Sequence, residues 1–354
     1  MSSTNTPPAL SSNHTLKKNK SRAKWLIISI ITAVLLIILA ALFWFIVAVN
    51  SPKDAKNTNK TAFEVKSGMG VNDIASKLFE KGLIADKNVF VVYSKIGPSK
   101  GSLKPGVYLF SPSMSLSRIA DTMGRGDIAS EKITFPEGTT IAQMSKKWGQ
   151  SELGTAQSFI DAAILQNTYN QSFLQYRSNK QSLEGYLFPA TYNVVYGTSS
   201  QSQISSMLDN FAKQVIPQLP AEYQNSSKLN DLITLASIVE REANSTEDRK
   251  GVAGVFYNRL RLGMKLESDV TVNYATGKTQ TLPSDLSINS PYNTYKVAGL
   301  PYGPICNPSL DAILATVYPT QSDYIFFIAD KNGLVRYAKT IQEHNQNIEK
   351  YLNQ

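Results

Sequence analysis

The chain has 354 residues, 36 basic against 27 acidic, a formal net charge of +9 and a single cysteine. Cys306 alone excludes an intramolecular disulfide and a zinc framework of the CxxC kind. The histidines are only His14 and His344; a histidine-dependent nucleophile would have to use His344, no GxSxG phrase accompanies it, and an ordinary surface or capping role suits it better.

Residues 1–24 hold Lys17, Lys18, Lys20, Arg22 and Lys24 and no acid. From Trp25 to Val49 no residue is charged, and only Ser29 and Thr32 interrupt the apolar run. As a helix this segment is about 37 Å long, enough to span a hydrocarbon core of about 30 Å with some tilt. It is too long for a signal-peptide core, and Ala48-Val49-Asn50 is a poor cleavage site. The basic flank places the N-terminus in the cytoplasm and the rest of the chain outside, in a single-pass arrangement. Setting the five flanking basic residues aside leaves 31 basic against 27 acidic residues, a nearly balanced body. A nucleic-acid reader would need a basic surface on the folded part, so nucleic acid is not the expected partner.

Residues 50–61 lack apolar periodicity and read as a solvated linker. Folding starts near Phe63. Phe63-Glu-Val-Lys-Ser-Gly68 is followed by Val71, Ile74, Ala75 and Leu78 at helical spacing. Tyr108-Leu-Phe110 precedes Leu116, Ile119, Ala120 and Met123, and Ile133-Thr-Phe-Pro-Glu-Gly138 precedes Ile141, Met144 and Trp148. Each unit predicts a short strand, a turn and an amphipathic helix. The recurrence is either the commonest way of joining strand to helix or a true module. Residues 62–130 resemble a LysM-like module, a small fold associated with polymers containing N-acetylglucosamine; the unit around Gly138 begins the next domain, 131–354.

That domain is dense in motifs. Leu183-Glu-Gly-Tyr-Leu-Phe-Pro-Ala-Thr-Tyr192 combines an acid, a glycine and aromatic residues with a breaking proline. Residues 232–243 predict a greasy helix with Asp231 at its N-cap. Projection at 100° per residue points Arg241 away from the apolar stripe and sets Glu240 and Glu242 on its two shoulders. A half-buried glutamate tends to hold its proton near neutral pH, as a general acid must. Amphipathicity does not choose between the two, and both also fit a bland reading as surface glutamates paired with Lys or Arg. Helical spacing resumes over 252–260, and Glu267-Ser-Asp-Val-Thr-Val-Asn-Tyr274, Ser290-Pro-Tyr-Asn-Thr-Tyr295 and Gly299-Leu-Pro-Tyr-Gly-Pro-Ile-Cys-Asn-Pro308 follow. Such loops suit a sugar groove, although single aromatics are more often core. A buried strand over 323–329, a turn at Asp330-Lys-Asn-Gly333 and a returning strand predict a hairpin, and 340–352 a final helix.

Taken in order, Pro136-Glu-Gly-Thr, Glu184-Gly-Tyr-Leu-Phe-Pro, Ala236-Ser-Ile-Val-Glu-Arg-Glu, Val255-Phe-Tyr-Asn-Arg-Leu, Ser268-Asp-Val-Thr-Val, Tyr292-Asn-Thr-Tyr, Gly299-Leu-Pro-Tyr-Gly-Pro-Ile and Glu343-His-Asn resemble the endolytic murein transglycosylase (YceG-like) family. The resemblance covers essentially everything after residue 62. Val270 stands where many relatives have proline, and Cys306 interrupts the Gly-Leu-Pro loop. The resemblance implies an α+β chain: a cytoplasmic tail (1–24), a transmembrane helix (25–49), a linker (50–61), the LysM-like subdomain and a mixed α+β catalytic domain. It implies a membrane-anchored lyase that opens the β-1,4 bond between N-acetylmuramic acid and N-acetylglucosamine, leaves a 1,6-anhydro end, and terminates or trims nascent strands. Glu240, the first acid of the Ile-Val-Glu-Arg-Glu phrase, is then the catalytic residue, acid first and base second. Glu184, Tyr186, Asp269, Tyr292 and Asn293 are candidates for holding the glycan. No metal and no cofactor are implied; peptidoglycan strands, the membrane and proteins of peptidoglycan synthesis are the implied partners. The alternative is a membrane-tethered scaffold that binds the wall without cutting it.

Overall fold

The computed structural model describes residues 15–98, 100–151, 153–164, 169–177, 182–224 and 226–352, with side chains from residue 23 onward. The chain divides into two compact units, Met1–Ala129 and Ser130–Gln354.

In the first unit, α1 (Thr15–Asn50) contains the apolar stretch Ala23–Asn50, which is long and apolar enough to cross a membrane. Beyond it lie β1 (Thr61–Val65), α2 (Val71–Glu80), α3 (Lys87–Ile96), β2 (Gly106–Phe110) and α4 (Leu116–Arg125). β1 and β2 pair antiparallel with Phe63 opposite Tyr108. Alternation along both strands turns Phe63, Val65, Tyr108 and Phe110 to one buried face. The apolar stripes of the helices meet that face through Ile74, Leu78, Phe90, Ile119 and Met123. Asp86 and Ser115 cap α3 and α4 by accepting from backbone N–H groups.

In the second unit, β3 (Ser130–Phe135) pairs antiparallel with β4 (Ala190–Val195), with Ile133 opposite Tyr192. Helices α5 (Ile141–Gln150) and α6 (Ala156–Ile164) lie between these strands in the chain, and α7 (Ser200–Gln214) and the one-turn α8 (Ala221–Gln224) follow β4. Their core gathers Phe135, Trp148, Phe159, Tyr186, Phe211 and Ile233.

Helix α9 (Lys228–Glu242) is buried almost all the way round from Leu229 to Val239, as a central helix must be. It begins three residues before the cap expected at Asp231, after Ser227, so Asp231 lies in the first turn, where a negative charge suits the helix dipole. Next come α10 (Thr246–Arg261), α11 (Asp269–Thr276) and α12 (Leu310–Val317). The hairpin of β5 (Phe326–Ala329) and β6 (Val335–Ala338) then leads into α13 (Ile341–Tyr351). The strand expected to be buried is only half-buried, because a two-stranded sheet covers one face and leaves the other to solvent. His344 stacks on Phe326 at 5.0 Å, a packing role.

Trp148 is fully buried and its ring lies 5.8 Å from that of Phe159. Trp148→Ala is expected to lower stability by about 3–5 kcal/mol through lost burial and the cavity left behind, measured by urea unfolding.

Candidate active site

Helices α9 and α10 are joined by only three residues, 243–245, and Ser245 caps α10 by accepting from Asp248 N. This sharp reversal carries Arg249 back alongside Glu240. Arg249 Nη2 donates to Glu240 Oε1 at 2.9 Å and Nη1 to Asp311 Oδ2 at 2.7 Å. Ser309, the N-cap of α12, donates to Glu240 Oε2 from its backbone N at 2.8 Å and from its hydroxyl at 2.5 Å. The Glu240 and Arg249 side chains keep only 6% and 14% of their exposure. Both Glu240 oxygens are thus engaged in bracing α9 against α10 and α12.

Glu242 is held differently. Ser268 Oγ donates to its Oε1 at 2.5 Å, while Oε2 has no hydrogen-bond partner among the described residues. Burial pushes this carboxyl above its ordinary range and the charge of Asp269 adds to the push; the Ser268 hydrogen bond and Arg241 oppose it.

A third acid, Glu184, is buried where four segments meet. Its oxygens accept from Ile141 N at the start of α5 (3.1 and 3.2 Å), from Asn307 Nδ2 (2.8 Å) and from Tyr274 Oη (3.4 Å). Burial raises its pKa to about 8, outweighing those three donors. Asn307, fully buried, is the junction of these segments. Its Oδ1 accepts from Gly185 N (3.0 Å) and Leu187 N (2.9 Å), and its Nδ2 also donates to Thr139 O (2.9 Å). At Gly185, φ is +90°, and a Cβ would come within 2.6 Å of Pro304 and 2.8 Å of Ile233, so only glycine fits.

A cleft of about 780 Å³ opens beside these groups, with Glu184, Arg241, Val270, Tyr274, Tyr292 and Tyr302 in its lining. Tyr292 meets Tyr274 and Tyr302 edge-on, with ring centroids 4.9 and 6.2 Å away. Glu242 follows the lining residue Arg241 in the chain, and its partner Ser268 stands two residues before the lining residue Val270.

The other expected residues separate. Tyr292 lines the cleft and Glu184 contributes to its wall. Asp269 is exposed at the start of α11 and accepts from Tyr295 Oη at 2.7 Å. Tyr186 is buried in the core against Phe173 and Phe211. Asn293 is fully buried and fastens its own loop, donating to Leu286 O and Ile288 O and accepting from Tyr295 N. Arg249, Asp311, Ser309, Asn307 and Tyr274 did not stand out as site residues in the sequence. The short link before the 245–248 cap was the available signal for Arg249; Asn307, one polar residue in a Gly/Pro-rich loop, offered none.

Residues 63–350 match the YceG-like family. The chain is 34% identical over 332 residues to a Streptococcus pneumoniae protein named endolytic murein transglycosylase, covering 85% of this chain and 60% of that protein. It is also 34% identical over 314 residues to a Bacillus subtilis protein of the same name, covering 85% of this chain and 86% of that one. This chain thus spans about 60% of the length of its pneumococcal relative. A crystal structure of a YceG-like protein from Listeria monocytogenes superposes with a TM-score of 0.53 at 33% identity, covering 81% of this chain and 99% of that one. The ordered motifs, the mixed α+β fold and these matches make the chain a member of the YceG-like family.

Two outcomes test the geometry. Arg249→Met strands the buried Glu240 charge and is expected to cost about 3–5 kcal/mol in chemical denaturation. Glu184 has a folded-state pKa of about 8 against 4.5 unfolded, so the folded state binds the extra proton between those values. Its contribution to stability is full below pH 4.5 and is lost as pH rises towards and through 8. Glu184→Gln is expected to flatten that part of the stability–pH profile, read from thermal midpoints across buffers.

Proposed function

We propose that this protein is a membrane-tethered endolytic murein transglycosylase in which Glu242, rather than Glu240, carries the proton. The carrying observation is the contrast within one helical turn: Glu240 has both oxygens engaged by Arg249 and Ser309, whereas Glu242 keeps one oxygen without a hydrogen-bond partner among the described residues and has a raised pKa. The family resemblance favoured Glu240; the bracing of that residue favours its neighbour. The reaction class and the endolytic mode are supported by the names of the relatives.

In this reading protonated Glu242 donates to the oxygen between N-acetylmuramic acid and N-acetylglucosamine as the bond to the anomeric carbon breaks through an oxocarbenium-like state. The carboxylate left behind takes the proton from the muramic acid 6-hydroxyl, whose oxygen closes on the same anomeric carbon. The product ends in a 1,6-anhydro ring, no water is consumed, and Glu242 regains its proton. Because the nucleophile belongs to the substrate, proximity replaces the second carboxylate of a hydrolase. Asp269 supplies negative charge near the developing cation. Tyr274, Tyr292 and Tyr302 offer ring surfaces to the apolar faces of the sugars.

The apolar helix supports a single-pass anchor with the catalytic unit outside the cell, where nascent strands are terminated or trimmed beside the proteins of peptidoglycan synthesis. The strand–helix–helix–strand order of residues 61–110 supports the LysM-like reading, a module that grips glycan.

Digestion of purified peptidoglycan followed by mass analysis tests the proposal. Anhydro ends are expected; reducing ends mean a hydrolase, and no cleavage a scaffold. Glu242→Gln is expected to fold and to lose about 10²–10⁴-fold in rate. Glu240→Gln is expected to lower the unfolding midpoint while retaining more activity than Glu242→Gln. A folded, inactive Glu240→Gln beside an active Glu242→Gln would return the role to Glu240.

A further inference from the structure

We propose that Arg241 reads a carboxylate borne by the glycan strand, either the lactyl carboxylate of muramic acid or a carboxylate of its peptide stem. The inference rests on the transglycosylase reading and adds a determinant of substrate choice.

Arg241 is exposed and lines the cleft. Its Nη1 donates to Gly138 O at 3.3 Å, which leaves the other N–H groups of a five-donor fork without a hydrogen-bond partner among the described residues. Among the described residues no carboxylate lies within ion-pair distance of it. The neighbouring cations are occupied: Lys278 Nζ holds both oxygens of Asp285 at 2.7 and 2.9 Å, and Arg249 is shared by Glu240 and Asp311.

The guanidinium is also positioned. Gly138 has a φ of +70°, and a Cβ there would stand 3.4 Å from Glu240 Cγ and 3.6 Å from Arg241 Cδ, so the Pro136–Gly138 turn lies against both stems. Gly138 N in turn donates to Asn307 O, so the turn that anchors Arg241 is tied to the same junction as Glu184. A freely solvated arginine has no such anchor.

The saccharide backbone of murein is uncharged, and only the lactyl and stem carboxyl groups carry negative charge. A planar fork of donors matches a carboxylate better than it matches sugar hydroxyls. Arg241 also opposes the proton on Glu242. A substrate carboxylate that neutralises Arg241 would therefore strengthen the hold of Glu242 on its proton when the strand is in place.

The test uses the full-length protein in detergent and four strand preparations: with and without peptide stems, each with its carboxyl groups free or converted to carboxamides. In the wild type, kcat/KM for release of anhydro ends is expected to be about tenfold higher on a free-carboxyl strand than on its carboxamide, carried by KM. Arg241→Gln is expected to bring that ratio to about one, and Arg241→Lys to restore part of it. A preference within the stem-free pair assigns the lactyl carboxylate; one confined to the stem-bearing pair assigns the stem. If Arg241→Gln is too slow to time, the same ratio is read from the affinities of uncleaved strands in a Glu242→Gln background. A wild type indifferent to carboxyl masking, or an Arg241→Gln variant that keeps the ratio, overturns the inference while leaving the transglycosylase reading intact. A wild type that releases no anhydro ends from any strand removes that reading and this inference with it.

Discussion

The second unit is organised by one buried ion pair, Glu240 with Arg249. Charges this poorly exposed are costly to bury, and further hydrogen bonds offset that cost. Here Ser309 engages the second oxygen of Glu240, and Asp311 accepts from Arg249 Nη1 and from Thr246, while Arg249 Nε has no hydrogen-bond partner among the described residues. The requirement has a geometric consequence. α9, α10 and α12 cannot shift independently without stranding a charge, so the end of α9 that carries Glu242 is held in place.

That constraint extends into the loops. The Asn307 side chain takes two backbone donors from the Glu184 motif, and with it the 299–308 loop, the Pro136–Gly138 turn and α5 converge on one residue. In the proposed mechanism, rigid surroundings let one carboxyl serve as both acid and base, since the group must meet the glycosidic oxygen and then the 6-hydroxyl without being carried away. Glu184 contributes to the same wall as a buried acid that favours its protonated form near neutral pH. The three acids therefore differ by environment: Glu240 braces helices, Glu184 joins loops, and Glu242 keeps one carboxylate oxygen unengaged among the described residues.

Much of the architecture was legible in the sequence because it depends on local periodicity. The helices after Gly68, Phe110 and Gly138, the apolar segment, the final hairpin and the last helix all follow from spacing and turn residues. The start of α9 was less legible: Asp231 is a good cap residue, but the burial of Leu229 and Asn230 extends the helix beyond it. The different environments of Glu240 and Glu242 were not legible at all. They sit on equivalent shoulders of the same stripe and differ only in what arrives from elsewhere, Arg249 and Ser309 for one and Ser268 for the other. Tyr186 and Asn293 look like ligand residues in one dimension because aromatic and amide side chains serve cores and loops equally well; their complete burial separates them from the cleft residue Tyr292.

The proposed mechanism requires Glu242 to hold the working proton. Its most direct test is carboxyl-carbon NMR on protein labelled at glutamate side chains, with the Glu242 signal assigned by its disappearance in Glu242→Gln. This signal is expected to titrate above the ordinary glutamate range. A Glu242 signal that titrates within or below the ordinary range would contradict the mechanism.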